Sequence, residues 1–175
     1  MVRRTINAVM PLFNMTTLRA HLAPGQRLLG LDPGSKTIGV ALTDVGLMLA
    51  SPYGRVARSK LAPTAQEIGR IARKEGAFGM VIGLPLSLDG SAGPAAQAAR
   101  DWAHALSEAT GLPAALYDER LSSAAVNRFL TGEADMTRKR RAEVVDQMAA
   151  AYMLQAALDS SVPPRLDQAR DDDDD

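Results

Sequence analysis

Three acidic residues stand out because an oxygen-binding cation could hold them together: Asp32, Glu119 and Asp146. Asp32 lies in the apolar run 28–32, and Glu119 ends a second apolar run, 114–119. Asp146 lies early in an alanine-rich stretch with helical character. A carboxylate in an apolar element costs desolvation free energy unless something compensates it. A shared Mg²⁺ or Mn²⁺ ion would compensate all three, and its chemistry would be metal-assisted hydrolysis.

The residues after Asp32 could bring a phosphate to its carboxylate. Gly34 and Gly39 permit tight turns and a close approach of the backbone. Lys36 could meet the phosphate with its positive charge. A structural alternative is equally plausible from this segment alone, because an Asp at the end of a strand often caps a turn.

The other two acids have similar pairs of interpretations. Arg120 follows Glu119 and could orient it or bind a phosphate bidentately, although a surface ion pair would have the same sequence. Asp146 shares its helix side with Ala149 and Ala150, at i+3 and i+4. Small neighbours let a helix approach a sheet closely, which favours a functional Asp146 over a solvated one.

A basic run precedes the last helix and could grip a nucleic-acid backbone. It consists of Arg138, Lys139, Arg140 and Arg141. Each phosphate contact from such a run adds affinity that salt weakens. A solvated entry to the helix explains the run about as well. The glycine- and serine-containing segment 83–91 could face a substrate, but it lacks the ending of a Walker A motif.

Composition excludes several kinds of site. The 175 residues include no cysteine and two histidines, which excludes disulfides and cysteine-based zinc sites and disfavours a histidine-rich metal site. No apolar run reaches the roughly 18 residues that span a bilayer, so we expect no membrane partner. A chain without cysteine suits a reducing cytoplasm.

The formal net charge of zero conceals an asymmetry. Residues 166–175 hold six of the 20 acidic and one of the 20 basic side chains. The remainder therefore has 19 basic and 14 acidic side chains, a net charge of +5. A moderately basic body with an acidic tail is compatible with a nucleic-acid partner. An ordinary mixed surface with a solubilising tail has the same composition.

Hydrophobic periodicity predicts an α/β domain with a mixed five-stranded sheet flanked by helices. Three antiparallel strands come first, and two parallel strands connected by helices follow. The predicted strands are 27–32, 38–43, 47–51, 78–84 and 114–119. The helix after the third strand begins with a capping box, Thr64 to Glu67, and ends at Gly76. The next helix runs from Pro94 to a stop at Gly111 and Pro113, and further helices are predicted at 122–130 and 140–158.

One domain with loose ends follows from this pattern. We predict a loose N-terminal extension at 1–26, a single domain at 27–160, and a disordered acidic tail at 161–175. The first strand becomes central, so Asp32 would lie on a rigid element. Glu119 would lie at the carboxyl end of a neighbouring parallel strand, where α/β sheets usually place their sites.

Several segments together resemble the YqgF (RuvX) family, pre-16S rRNA nucleases and Holliday-junction-resolvase-like proteins. The resemblance covers roughly residues 27–160 and rests on motifs in the same order. These motifs are 31–41, Ala50-Ser51-Pro52, 81–85 with Asp89-Gly90-Ser91, 118–122 and 146–150. Pro33 departs mildly from the aromatic residue that often follows the first Asp of the family.

The resemblance implies an RNase H-like fold, a cytoplasmic location and maturation of the 5′ end of small-subunit ribosomal RNA. It also implies that Asp32, Glu119 and Asp146 form the acidic site and bind one or two Mg²⁺ or Mn²⁺ ions. Lys36, Arg120 and the basic run would then position the phosphate backbone. The expected partner is nucleic acid, as pre-rRNA, branched DNA or ribosomal particles, and the protein would be a monomer or homodimer.

Two other functions remain open at this point. An actin-like ATPase shares the Asp-x-Gly turn beside antiparallel strands, but such proteins clamp a nucleotide between two related domains and this chain offers one. A non-catalytic RNA-binding factor in ribosome assembly or transcription needs none of the three acids. Their joint presence argues weakly for catalysis.

Overall fold

The computed structural model describes residues 11–84, 93–118 and 138–162. In the last of these ranges, the structure describes residues 141–143 and 146 by their backbone alone. In chain order the strands and helices are β1 (Leu12–Phe13), α1 (Met15–His21), β2 (Arg27–Pro33), β3 (Thr37–Thr43), β4 (Ala50–Ala57), α2 (Leu61–Glu75), β5 (Ala77–Leu84), α3 (Pro94–Thr110), β6 (Ala114–Asp118) and α4 (Arg138–Ser160).

The strands form one mixed sheet in the order β1-β6-β5-β2-β3-β4. β2, β5, β6 and β1 are parallel, whereas β3 is antiparallel to both β2 and β4. The five predicted strands correspond to β2–β6 and have the expected α/β arrangement. The first predicted strand, 27–32, is β2 and lies in the interior of the sheet. This order and these directions confirm the expected RNase H-like fold.

The predicted strand number was wrong, because a sixth strand comes from the segment that we expected to be a loose extension. Leu12 and Phe13 pair in parallel with Ala114 and Ala115 of β6. Asn14, which directly follows β1, caps α1: its side chain accepts a hydrogen bond of 2.8 Å from the Thr17 amide. A two-residue strand is too short to show periodicity in the sequence.

Two local predictions were also wrong. The third strand begins at Ala50 instead of Leu47, because the Asp44 carboxylate accepts hydrogen bonds from the amides of Met48 and Leu49 and holds them in a loop. The amides of Leu49 and Met48 also lower the pKa of Asp44 below its ordinary value.

The helix after this strand does not use the predicted capping box. It begins at Leu61, three residues before Thr64. Thr64 is buried and accepts a hydrogen bond from the Ser59 amide, and Glu67 forms an ion pair of 2.6 Å with Arg70. The predicted stops at Gly76 and Gly111 are confirmed, and both glycines have a left-handed backbone conformation.

The sheet has a helical layer on each face. On one face, α2 and α3 cover a core that includes Leu29, Leu31 and Ile82. On the other face, α1 and α4 cover a core that includes Leu28 and Val81. Alternate residues of β2 thus face opposite layers, as expected for a strand. None of the helices in the described ranges is long and apolar enough to span a bilayer.

The contact between α4 and β2 depends on Gly30. A Cβ atom at Gly30 would lie 2.9 Å from the Leu154 Cβ and 3.3 Å from the Ala150 carbonyl oxygen. A real Cβ atom does not fit at 2.9 Å, so the helix rests directly on the strand backbone. The glycine at this strand position therefore sets the distance between α4 and the sheet.

Gly30→Ala tests this contact. We expect it to lower the free energy of unfolding by about 1–3 kcal/mol, because α4 must move away from β2. Urea denaturation followed by circular dichroism measures the change. Gly54→Ala in β4 is the matched control, since a Cβ atom there meets nothing within 4 Å. Equal stabilities of the two variants would contradict the close contact.

Candidate active site

Asp32 lies near the carboxyl end of the central strand, on the face that α4 covers. It follows Leu28 and Gly30 on that face, whereas Leu29 and Leu31 face α2 and α3. Its partner on β3 is Gly39, which is buried and has no side chain to fill the space beside the carboxylate. The strand therefore presents Asp32 towards α4 at the edge of the sheet.

The Asp32 carboxylate has no hydrogen bond or ion pair with any other residue that the structure describes. Asp32 is half-buried, although Leu31 before it is fully buried. The desolvation cost anticipated from the apolar sequence is accordingly smaller than for a buried acid. What marks Asp32 is a half-buried carboxylate without a partner among the described residues.

The turn after Asp32 carries Lys36. The Gly34 amide donates a hydrogen bond of 2.8 Å to the Thr37 carbonyl, which closes the turn between β2 and β3. A Cβ atom at Gly34 would lie 2.8 Å from the same oxygen, so the turn requires glycine there. Lys36 is exposed to solvent in this turn, and its contact with a phosphate stays a prediction.

The backbone of α4 brings position 146 level with Asp32. The helix runs antiparallel to β2, because Gln155 accepts a hydrogen bond of 2.8 Å from the amide of Ala50 in β4. Ala50 pairs with Thr43, which binds Leu28 and is therefore level with the start of β2. Ala150 contacts Gly30, and Asp146 precedes Ala150 by one turn, about 6 Å along the helix. Asp32 follows Gly30 by two residues, about 7 Å along the strand. The two backbone positions therefore lie at similar heights along β2, near the same edge of the sheet.

Glu119 and Arg120 lie outside the described residues, so their predicted roles stay predictions. β6 ends at Asp118, directly before Glu119. The expectation that this strand neighbours β2 was wrong, because β5 lies between them. Two strand spacings separate the backbones by about 9–10 Å. The sequence does not distinguish a sheet with β6 next to β2 from one with β5 between them, since β6 is parallel to β2 in both arrangements.

The basic run forms the first turn of α4. Arg138, Lys139 and Arg140 are exposed there, and the side chain of Arg141 is outside the description. Arg138 lies eight residues before Asp146, about 12 Å further along the helix axis. Cations at a helix N-terminus oppose the helix dipole, which favours anions at that end. Because this placement weakens the helix, it favours a role in binding anions over a purely structural one.

A complete metal site is not contained in the described part of the chain. No three His, Asp or Glu side chains gather in that part, which includes neither Glu119 nor the side chain of Asp146. The all-oxygen donor set of the three acids fits a hard cation such as Mg²⁺ or Mn²⁺. The unpartnered Asp32 carboxylate fits one as well.

Sequence reasoning overlooked Gly30 and Arg58. Gly30 sets the height of α4, and its signal was a glycine inside an otherwise apolar strand. Arg58 donates a hydrogen bond of 2.7 Å to the Gly34 carbonyl in the turn after Asp32. No sequence motif indicates Arg58, because its partner Gly34 lies 24 residues away in the sequence and motifs are local patterns. The fold, with an acid at the end of its central strand, is that of the RNase H-like class of proteins.

Comparison with known proteins places the chain within that class. The profile of a family described as "RuvX: Holliday junction resolvase" matches residues 26–160. A relative from Gluconacetobacter diazotrophicus is 68% identical over 152 residues, which cover 87% of this chain and 99% of the relative. A relative from Gluconobacter oxydans is 68% identical over 154 residues, covering 88% and 96%. The chain belongs to the RuvX family, a family of nucleases.

The names of these relatives and one solved structure complete the comparison. Both relatives are named "Putative pre-16S rRNA nuclease". Thermus thermophilus RuvC in complex with a Holliday junction substrate superposes with a TM-score of 0.44 and 15% identity, over 77% of this chain and 94% of that chain.

Asp32→Asn tests whether the Asp32 carboxylate belongs to a cation site. In EDTA we expect the variant to be at least as stable as the wild type, because it loses the charge of a half-buried carboxylate that has no partner among the described residues. Excess Mn²⁺ should raise the melting temperature of the wild type, since a ligand that binds only the folded state stabilises it. The variant should not respond, and differential scanning fluorimetry measures both effects.

Glu108→Gln is the matched control, because Glu108 is an exposed acid on α3. It should respond to Mn²⁺ as the wild type does. An Mn²⁺ response that Asp32→Asn retains in full would show that the ion binds elsewhere.

Proposed function

We propose that the protein is a metal-dependent endonuclease that hydrolyses phosphodiester bonds in pre-16S rRNA and matures its 5′ end in the cytoplasm. The observation that carries the proposal is the sheltered, unpartnered carboxylate of Asp32 at the end of the central strand, with Asp146 of α4 at the same height. The names of the relatives support the choice of pre-16S rRNA. A monomer or a homodimer would serve this function.

Asp32, Glu119 and Asp146 are the residues that would hold Mg²⁺ or Mn²⁺. Ala115 and Tyr117 of β6 belong to the core on the α4 face. If their alternation continues beyond Asp118, Glu119 would face α4 as Asp32 does. The longer Glu side chain suits the strand that lies further from β2. A bound divalent ion would polarise the phosphate and lower the pKa of a bound water.

The cationic residues would position the substrate backbone. Lys36 extends from the turn beside Asp32, and the first turn of α4 projects beyond the sheet edge. The N-termini of α2 and α3 lie towards the same edge, and neither helix has an acidic residue in its first turn. Helix N-termini favour anions, so this edge would attract phosphates before any base is read. Arg120, beside Glu119, would add a bidentate phosphate contact.

Branched DNA is the second candidate substrate, because the family profile is described as that of a Holliday junction resolvase. The same carboxylates and cations would serve either substrate, since they contact phosphates. A ribosomal particle presenting the pre-rRNA is compatible with the same surface.

Cleavage assays distinguish these substrates. The purified protein is incubated with pre-16S rRNA, a model RNA or a Holliday junction, in Mn²⁺ or in EDTA. We expect cleavage of pre-16S rRNA that EDTA abolishes and that Asp32→Asn and Asp146→Asn each lower by at least about 100-fold. The basis for this magnitude is the loss of transition-state stabilisation at a metal site.

Glu108→Gln again serves as the control with full activity. Cleavage confined to the junction would replace RNA with branched DNA as the substrate. Tight RNA binding without cleavage of any substrate would leave a non-catalytic RNA-binding factor as the function.

The basic run generates a separate prediction about affinity. Arg138→Gln with Lys139→Gln should weaken RNA binding regardless of sequence and lower the salt slope by about two, one for each lost phosphate contact. The stability of the double variant should stay equal or rise, by about 0.3–1 kcal/mol per charge removed from the helix N-terminus. Fluorescence anisotropy at several salt concentrations measures the slope.

Arg73→Gln with Lys74→Gln is the matched control, because these two exposed cations lie in the last turn of α2, at the opposite edge of the sheet. It should leave the slope unchanged. Equal slopes for both double variants would contradict a directed role of the α4 run.

A further inference from the structure

Arg58 connects three parts of the molecule that the sequence keeps far apart. It follows β4 and is exposed to solvent. Its amide donates a hydrogen bond of 2.9 Å to the Lys36 carbonyl. Its guanidinium donates a hydrogen bond of 2.7 Å from Nη1 to the Gly34 carbonyl and lies over the ring of Trp102, 5.4 Å from the ring centroid. That distance is within the range of a cation–π interaction.

The contacts converge on the turn between Asp32 and Thr37. The carbonyl oxygens of Gly34 and Lys36 both accept hydrogen bonds from Arg58. Arg58 therefore holds the start of the turn, after β2, and its end, before β3. Trp102 lies on α3 and packs against the core on the α2 and α3 face. The turn is thereby fixed to a helix on the face opposite α4.

We propose that Arg58 is a positioning residue, which holds the turn so that Lys36 and Asp32 meet the same phosphate. The proposal rests on the proposed function for its consequence, since Lys36 is there assigned to the substrate backbone. The contacts themselves do not depend on that assignment. Arg58 acts through the turn, because its guanidinium donates a hydrogen bond to Gly34 from one edge and stacks on Trp102 with one face.

A planar guanidinium is required for this arrangement. Arginine donates in its plane and stacks with its face at the same time, whereas lysine offers a single rotatable ammonium. Arg58→Lys keeps the positive charge but cannot make both contacts in this geometry. Lys60→Gln is the matched control for charge, because Lys60 is exposed two residues further on and makes no side-chain hydrogen bond at the α2 cap.

The first experiment measures the turn without any substrate. Hydrogen exchange of the full-length protein is followed at the amides of Gly34 and Arg58, which both bond within this arrangement. Arg58→Gln should speed their exchange roughly fivefold to tenfold, since a hydrogen bond and a cation–π contact are lost. Arg58→Lys should give an intermediate rate, and Lys60→Gln the wild-type rate.

Fluorescence supplies a second readout of the same contact. Trp102 is the single tryptophan of the chain, so the tryptophan emission comes entirely from the ring that the guanidinium stacks on. The emission spectrum should change in Arg58→Gln and stay constant in Lys60→Gln. Unchanged exchange and emission in Arg58→Gln would overturn the proposal.

The second experiment is a double-mutant cycle in RNA binding. Arg58→Gln and Lys36→Ala are measured singly and together against a short fluorescent RNA. If Arg58 acts through the turn, Arg58→Gln weakens binding in the wild type by roughly threefold to tenfold and has little further effect once Lys36 is gone. Additive losses, each with its own reduction in the salt slope, would show that Arg58 contacts a phosphate itself and would overturn positioning.

The two experiments separate this proposal from the proposed function. A wild-type protein that neither binds nor cleaves RNA would end the nuclease assignment. The exchange and emission measurements would still decide whether Arg58 holds the turn. Conversely, intact nuclease activity with an unchanged turn in Arg58→Gln would overturn the positioning role alone.

Discussion

The close packing of α4 on the backbone of β2 is the contact on which the candidate site depends. Gly30 allows Ala150 and Leu154 to reach the strand without an intervening side chain. From that fixed point, the rise of a helix and that of a strand bring positions 146 and 32 to similar heights. A wider separation of helix and sheet would move one acid away from the other by the same amount. The glycine thus links ordinary core packing to the chemistry of the site.

The acidic residues proposed for this edge of the sheet require a nearby cation, whereas the basic residues at the start of α4 require a nearby anion. Acids brought together repel each other unless a cation lies among them. The cations at the start of α4 oppose the dipole of their own helix. In the proposed site, a divalent ion would relieve the first conflict, and a phosphate backbone would relieve the second. Both features would then be unfavourable in the free protein and favourable in a complex with a metal ion and nucleic acid.

Local signals in the sequence predicted much of the fold. Gly76 and Gly111 end helices because they adopt the left-handed conformation that the pattern implied. The apolar run 28–32 predicted a central strand and placed Asp32 on it. The capping box failed because the helix begins three residues earlier, at Leu61, and Thr64 and Glu67 bind Ser59 and Arg70 nearby in the sequence. β1 escaped notice because its two residues gain their order only from β6.

The residues of the candidate site could be proposed from the sequence, whereas their arrangement in space could not. Asp32 and Asp146 were recognisable as acids within apolar stretches of the sequence, and the family resemblance implied the same residues. The insertion of β5 between β2 and β6 depends on the order of parallel strands, which the chain does not encode locally. Arg58 depends on a contact across 24 residues, and Gly30 on a helix that starts more than a hundred residues later. Contacts between distant segments are what sequence patterns leave undetermined.

Anomalous diffraction from crystals soaked in Mn²⁺ would test the central claim most directly. We expect a manganese peak between the carboxylates of Asp32 and Asp146, with Glu119 completing the protein ligands and oxygen distances near ~2.1–2.2 Å for a hard divalent ion. A manganese position remote from Asp32, or carboxylates of Asp32 and Asp146 that diverge and share no ligand, would contradict the site.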